Sequence, residues 1–366
     1  MQQVRNPLWP SSNPRTDSTV AVQPVPKRDL ESILAQTAPL WEQLRGQRLF
    51  LTGGTGFFGC WLLESFLHAN RALSLGASAA VLTRSPEQFS RKAPHLANDA
   101  AVHLLSGDIR AFGFPEEDCH FVIHAATDTG AQAAERPALL LSSILDGTRR
   151  VLEFASTHGV RRMLFVSSGA VYGLQPPELT HIPETYLGGP DWLRPLASYG
   201  EGKRAAELMA LLHAQQAGFD CVIARAFAFV GPHLPLDQHF AIGNFIRDAT
   251  GGLPIRINGD GTPMRSYLYA SDLASWLWTL LFSAPSGEAY NVGSDESVSI
   301  ADLAQTVVDA LGTPTGIHIA REALPGAPRA QYVPSIAKAR EQIGLNVSVG
   351  LRDAIRRTAE WHGFRP

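Results

Sequence analysis

Tyr199 and Lys203 stand four residues apart in Tyr199-Gly200-Glu201-Gly202-Lys203. On a helix that spacing puts both side chains on one face. A free phenol titrates near about 10, too high for proton chemistry at neutrality, while a neighbouring ammonium favours the phenolate. The pair is therefore expected to make Tyr199 a usable base. Ser168 closes the apolar run in Val166-Ser167-Ser168-Gly169-Ala170-Val171-Tyr172-Gly173 and could hydrogen-bond the same reacting oxygen. Upstream, Thr52-Gly53-Gly54-Thr55-Gly56-Phe57-Phe58-Gly59 follows one apolar run and precedes the helical stretch Cys60–Leu67. Gly53, Gly56 and Gly59 have the spacing of a dinucleotide loop, in which glycine allows a tight turn and brings the backbone close to a diphosphate at a helix N-terminus.

These groups need a scaffold that collects strand ends. Candidate strands are 48–52, 79–83, 102–106, 121–125, 163–168 and 221–226, each a short, nearly continuous apolar run. The connections between them are long enough for helices, the pattern of a parallel sheet covered on both faces, so a doubly wound α/β fold is predicted. In such sheets ligands bind at the carboxyl ends of the strands, where Ser168 would stand. The second strand ends Val81-Leu82-Thr83-Arg84-Ser85. An acid there would bind the adenosine ribose of NAD, whereas Arg84 would accept a 2′-phosphate, so NADP is favoured over NAD. In Gly107-Asp108-Ile109, Asp108 could accept a hydrogen bond from the adenine amino group. His124 ends the fourth strand and is read as a loop-fixing side chain.

Outside this region, residues 1 to about 28 carry Pro7, Pro10, Pro14, Pro24 and Pro26 and read as a polar tail. A short helix is predicted from Asp29 to about Leu44, bent near Pro39, burying Leu30, Ile33, Leu34, Trp41 and Leu44. Beyond His233 the alternation breaks down and a smaller α/β lobe is expected. Trp276, Trp278, Leu280 and Leu281 read as helix core, and Asn258-Gly259-Asp260-Gly261 as a turn rather than a calcium loop. His233 and His239 flank the approach to the lobe, as substrate contacts or surface loop.

With 366 residues, 45% hydrophobic and 18% charged, the chain has the composition of a folded globular protein, which excludes disorder, collagen and coiled coil. The net charge of −3 provides no basic field for nucleic acid or an anionic membrane. The apolar run around Leu273–Ala284 is too short to span a bilayer, and the N-terminus lacks a signal pattern, so a cytoplasmic location is expected. Cys60, Cys119 and Cys221 are odd in number and widely spaced, against a disulfide framework or zinc site.

From about Gln47 to Trp361 the sequence resembles the extended short-chain dehydrogenase/reductases, specifically the nucleotide-sugar epimerase/dehydratases. The residues that carry the resemblance are TGGTGFFG at 52–59, GDI at 107–109, HAA at 124–126, SSGAVYG at 167–173 and YGEGK at 199–203. RAFAFVGP at 225–232, GDGTPMRSYLYASDLA at 259–274 and YNVGS at 290–294 extend it. The resemblance implies a Rossmann domain over 46–235 with a return near 266–292, preceded by a tail and helix over 1–45. A lobe over 236–366 would hold most of the nucleotide sugar. NADP or NAD would contact Gly53, Thr55, Gly56, Phe57, Phe58, Gly59, Thr83, Arg84, Asp108, Ile109, Ala125, Ala126, Tyr199 and Lys203. Tyr199 would take a proton from a sugar hydroxyl, Ser168 would share its hydrogen bond, Lys203 would position the nicotinamide ribose, and hydride would pass to the ring. Asn244 and Arg265 match positions near the substrate phosphates, a role suited to an amide donor and a guanidinium fork. Pro254, Ile255 and Arg256 could pack on the base. A homodimer through two helices per subunit is implied, with no nucleic-acid or membrane partner.

Two departures matter. Where 4,6-dehydratases carry an acid and base after the catalytic Ser or Thr, and decarboxylases usually keep Glu, this chain has Gly169 and Ala170. Neither transfers a proton, so a 4-epimerase or 4-ketoreductase is expected, unless Glu201 or Asp128 substitutes to restore dehydratase or decarboxylase chemistry. A cofactor-binding protein without turnover is the alternative from another class. Ile144 replaces the Asn of an Asn-x-x-Gly-Thr pattern ahead of Gly147 and Thr148.

Overall fold

The computed structural model describes residues 21–127, 135–238, 240–324 and 326–365; Asp128 and His239 lie outside them. Seven strands build one parallel sheet: β1 (Arg48–Thr52), β2 (Ser78–Thr83), β3 (Val102–Ser106), β4 (Phe121–His124), β5 (Arg162–Ser168), β6 (Asp220–Ala226) and β7 (Ala289–Val292). Their order is β7-β6-β5-β4-β1-β2-β3, so the chain reverses its direction of growth between β1 and β4. In-register pairs such as Thr52 with His124 and Ser168 with Ala226 bring the carboxyl ends together at that point, where such sheets form a ligand crevice.

Side chains alternate strictly across the sheet. Leu49, Leu51, Leu164, Val166, Val222 and Ala224 enter one core layer, while Phe50, Met163, Phe165, Cys221 and Ile223 enter the other. The first layer is covered by α2 (Phe57–Ala72) and α6 (Ala270–Ser283), the second by α3 (Pro137–Thr157) and α4 (Ser198–Ala217). Trp276, Trp278, Leu280 and Leu281 are all buried in α6, as their spacing predicts. Among the described residues no helix is long and apolar enough to cross a membrane.

The predicted N-terminal helix is two elements. α1 (Lys27–Thr37) ends before Pro39, and a tighter 3-10 helix runs over Ala38–Leu44, because proline cannot donate the hydrogen bond needed to continue an α-helix. Ile33, Trp41 and Leu44 are buried, and Asp29 is fully buried as well, accepting from the Tyr269 hydroxyl at 2.8 Å and Arg357 at 2.7 Å. The end of the expected polar tail also docks. Val25 is buried and its N–H donates to Glu64 at 3.0 Å, while Val22 N–H reaches the Lys92 carbonyl at 2.8 Å. Composition missed this because backbone donors, not apolar side chains alone, hold the segment.

Beyond β6, α5 (Ala241–Thr250) and the helices Ile300–Leu311 and Leu351–Trp361 pack with short strands. A three-stranded sheet joins Val298–Ser299, Met264–Arg265 and Gln331–Tyr332. Asp260 accepts from Thr262 N–H at 3.0 Å and Thr262 Oγ1 at 2.8 Å, closing the predicted turn.

Candidate active site

The glycine loop leaves β1 and enters α2 through Gly56, which has no side chain with which to cap the helix. The first N–H groups of α2, at Phe57 and Phe58, therefore lack the partner a capping side chain would provide, and the positive end of the helix is free for an anion. Gly53 has φ +75°, and a Cβ there would stand 2.7 Å from the Ala125 carbonyl carbon and 2.8 Å from Ala126 N. A Cβ on Gly59 would meet the Gly53 oxygen at 2.3 Å, whereas one on Gly56 would make only an ordinary 3.6 Å contact with that oxygen. The first and third glycines pack loop against strand and helix, and the second leaves room for close approach. These residues fit a dinucleotide diphosphate.

Thr83 ends β2 buried and Arg84 follows exposed. Asp108 and Ile109 follow β3, but the Asp108 carboxylate is taken by Arg110, with Nε at 2.8 Å and Nη2 at 3.1 Å. Arg110 first, and Arg84 more weakly, holds that carboxyl below the usual range. An adenine amino group would thus have to share Asp108 with Arg110, a competition the sequence reading omitted.

His124 is fixed as predicted: its Nδ1 lies 2.7 Å from Thr52 Oγ1 and its Nε2 3.2 Å from Thr148 Oγ1, tying β4 to β1 and α3. Burial, and secondarily Lys203, pushes it down to about 3, so it is neutral at ordinary pH. The unfolded chain binds a proton below about 6.5 that the folded His124 refuses. Its contribution to stability is thus complete above that pH and is lost as pH falls toward 3. His124→Asn should lower the melting temperature at neutral pH yet flatten its decline on acidification; an equally steep decline would exclude His124 as a source.

Ser168, Tyr199 and Lys203 come together from the end of β5 and the first two turns of α4. Ser168 Oγ accepts from Ala170 N–H at 3.2 Å and is near enough to the Tyr199 phenol to lower its pKa. Lys203 is buried, donates to the Val166 carbonyl at 2.8 Å and lies 5.0 Å from the Phe165 ring centre. Burial drives Lys203 down to about 7, partly offset by Glu207. The expected lowering of Tyr199 by Lys203 is absent in the protein alone. Burial raises the Tyr199 pKa, with Ser168 as the opposing influence, because Lys203 turns its ammonium toward the strand carbonyl.

The second-lobe residues are placed less uniformly. Arg265 is half-buried on Met264–Arg265, donates to the Met264 carbonyl at 2.7 Å, and pairs in register with Tyr332. Asn244 lies in α5 with both ends of its amide engaged, donating to the Gln238 carbonyl at 2.8 Å and accepting from Arg247 at 3.1 Å. Ile255 is buried, so strand alternation leaves only the exposed Pro254 and Arg256 able to meet a base. His233 is neither surface loop nor substrate contact: it is buried, 4.8 Å from the Trp361 ring and 3.8 Å from Glu64.

Residues 49–293 match the family model described as the NAD dependent epimerase/dehydratase family. The chain belongs to that family. UDP-glucuronic acid decarboxylase 3 of Arabidopsis thaliana is 28% identical over 309 residues, covering 84% of this chain and 86% of the relative. UDP-glucuronic acid decarboxylase 1 of Xenopus tropicalis is 28% identical over 320 residues, covering 87% and 72%. The UDP-glucose 4-epimerase of Thermus thermophilus, solved as a complex with NAD, superposes with a TM-score of 0.70 at 25% identity, over 87% of this chain and 99% of that one.

The structure gives this family member's departures a physical basis. Ile144 is buried in the cluster against which Tyr199 packs, so apolar contact stands where the resemblance led to the expectation of an Asn. Polar support comes instead from a network that sequence spacing did not reveal. Glu207, one turn beyond Lys203, accepts from Ser167 Oγ at 2.5 Å and from Arg225 at 2.7 and 3.0 Å. Arg225 continues to the Tyr172 hydroxyl at 2.9 Å, and Tyr172 to Asn291 on β7 at 2.8 Å. Only the helical spacing of Lys203 and Glu207 hinted at it. At Gly169, a Cβ would lie 2.7 Å from Phe227 Cζ and 2.8 Å from the Tyr332 hydroxyl. A side chain there would have to displace the tips of the Phe227 and Tyr332 rings, and the Glu201 carboxylate lies by Gly189 instead.

Proposed function

We propose that this protein is a nucleotide-sugar 4-epimerase or 4-ketoreductase using NADP or NAD. The observation that carries the reading is the meeting of Ser168, Tyr199 and Lys203 beside a Gly169 position closed by Phe227 and Tyr332. Tyr199 takes or returns the proton of a sugar hydroxyl, Ser168 hydrogen-bonds the same oxygen, and Lys203 holds the nicotinamide ribose. Bound nicotinamide supplies the hydride acceptor or donor. Gly53, Gly56, Gly59 and the α2 N-terminus hold the diphosphate, with Thr55, Phe57, Phe58, Thr83, Ile109, Ala125 and Ala126 lining the path. Arg84 supports NADP through its charge and the lack of an acid at that position. Arg265, and Asn244 after exchanging its local partners, would hold the substrate phosphates within the 236–366 lobe. Gly169 and Ala170 offer no elimination acid or base, and Phe227 and Tyr332 crowd the space at Gly169, which argues against dehydration.

The 28% identical relatives named as UDP-glucuronic acid decarboxylases support a second reading. Oxidation at carbon 4 of a uronic acid creates a β-keto acid, which loses carbon dioxide without a further acid in the carbon–carbon cleavage itself. Incubation with UDP-, dTDP-, GDP- and CDP-sugars, including UDP-glucuronate, plus NAD or NADP, and in parallel with their 4-keto derivatives plus NADH or NADPH, separates the readings by product mass. An isomer of unchanged mass identifies the epimerase, and gain of two hydrogens from a 4-keto sugar with loss of NADPH identifies the reductase. Loss of carbon dioxide identifies the decarboxylase, and loss of water would overturn the argument from Gly169.

A homodimer through α3 and α4 is part of the proposal. Leu139, Leu208 and Leu212 are exposed at 45%, 59% and 54%, on helices that cover one face of the sheet, and burying such side chains favours association. Light scattering should give a dimeric mass for the wild type and a monomeric mass for Leu212→Glu; a monomeric wild type refutes the dimer.

A further inference from the structure

Residues 22–29 run between the elements that carry the glycine loop and the helix Leu351–Trp361, and their contacts alternate between the two sides. Val22 N–H donates to the Lys92 carbonyl at 2.8 Å, the Pro24 carbonyl accepts from Trp361 Nε1 at 3.0 Å, and Val25 N–H turns back to Glu64 Oε1 at 3.0 Å. Arg28 then reaches Glu360 at 3.2 Å, and the fully buried Asp29 accepts from Arg357 at 2.7 Å and from the Tyr269 hydroxyl at 2.8 Å. Glu64 belongs to α2, the helix that starts at the glycine loop, and is itself buried, with His95 Nε2 2.8 Å from the same oxygen. The helix Leu351–Trp361 packs on α5 and on Ile300–Leu311. Pro24 and Pro26 have no N–H, and Pro26 is extended at φ −56° and ψ 136°, so Val25 supplies the donor that this stretch aims inward.

We propose that residues 22–29 are a brace that holds the substrate lobe against the cofactor-binding elements, so that the nucleotide-sugar site is assembled before substrate arrives. The inference rests on the reading of residues 236–366 as the lobe that holds the nucleotide sugar. A segment anchored alternately on both sides cannot let one side move without breaking contacts on the other. The exposed Arg28–Glu360 pair adds little. Release of Val25 would leave a buried N–H without its acceptor, and release of Asp29 would leave a buried carboxylate without its partners. A lobe freed of the brace samples arrangements that do not bind, and its apparent affinity falls by the fraction still assembled. The glycine loop lies on one side of the brace, so cofactor affinity should not follow.

Two substitutions cut the brace from opposite sides. Val25→Pro removes the N–H that reaches Glu64 and keeps an apolar ring, while Trp361→Phe removes the donor to Pro24 and keeps an aromatic ring beside His233. If Val25→Pro does not fold, Asp29→Asn replaces it, removing the charge that faces Arg357 and keeping an acceptor for Tyr269. Hydrogen exchange of the full chain, read by mass spectrometry, should show amides of 351–361 exchanging about fivefold faster in each variant, with β1, β4 and β5 at wild-type protection. The double variant should add little, because a brace cut once is already released. In calorimetric titrations with UDP, dTDP, GDP and CDP, the Kd of the diphosphate that binds should rise about fivefold, while that of NADP or NAD stays within about twofold. The proposal is overturned if 351–361 exchanges at the wild-type rate in both variants, if the strands lose protection in parallel, or if the two effects add in full. It is also overturned if diphosphate affinity is unchanged while the helix loosens, or if cofactor affinity falls equally. Failure of all four diphosphates to bind the wild type would sink the proposed function, while the exchange rates would still decide whether residues 22–29 hold the helix.

Discussion

Tyr199→Phe should lower turnover of the sugar substrate by about 10²- to 10⁴-fold, the range for loss of a general acid/base, while cofactor affinity and melting temperature stay near wild type. The ring packs into the core layer under α4, so the substitution removes the hydroxyl and keeps the apolar contacts. Ser168 is the polar side chain that acts on its phenol, and the glycine loop lies on a different strand end. A single-turnover measurement with the reactive nucleotide sugar isolates the chemical step from product release. Retention of wild-type turnover would remove Tyr199 from the acid/base role and favour a cofactor-binding protein without catalysis.

Glu207→Ala should be the most destabilising of the substitutions considered, by about 3–5 kcal/mol in denaturant unfolding, because it leaves a partner charge buried and unpaired. Glu207 is buried, and Arg225 has 17% of its side chain exposed while directing two of its nitrogens to that carboxylate. Without it, the guanidinium keeps only the Tyr172 hydroxyl, and Ser167 loses its acceptor. Glu207→Gln, which keeps an acceptor but not the charge, should fall between alanine and wild type. The carboxylate also raises the pKa of Lys203 against burial, so removing it moves the Lys203 titration below about 7 and shrinks its charged fraction at neutrality. Any activity that needs the ammonium should then decline at lower pH than in wild type. Unchanged unfolding would show that Arg225 reaches water or another partner.

Much of the scaffold was legible because its signals are local. Continuous apolar runs marked the six strands from Arg48–Thr52 to Asp220–Ala226 to within one residue at their ends, since burial on both faces requires apolar residues at successive positions. Tyr199 and Lys203 were recognisable because helix geometry alone puts positions four apart on one face. The glycines were recognisable because close backbone approach excludes a Cβ whatever surrounds it. The short strand Ala289–Val292 was visible only as a likeness, and the docking of Val22–Val25 was hidden by a proline-rich composition.

What the tertiary structure decided are the contacts between segments distant in the chain. Tyr332 comes to Gly169 at the end of β5 because its strand pairs with Met264–Arg265, and Arg225 meets Glu207 because β6 lies beside β5 under α4. The direction of the Tyr199 pKa also belongs to this level. The spacing of Tyr199 and Lys203 fixes that they share a face, but burial and the Val166 carbonyl determine what each charge experiences. Periodicity and residue type specify which elements form and which groups a segment can offer; desolvation and hydrogen-bond competition arise only when those segments meet.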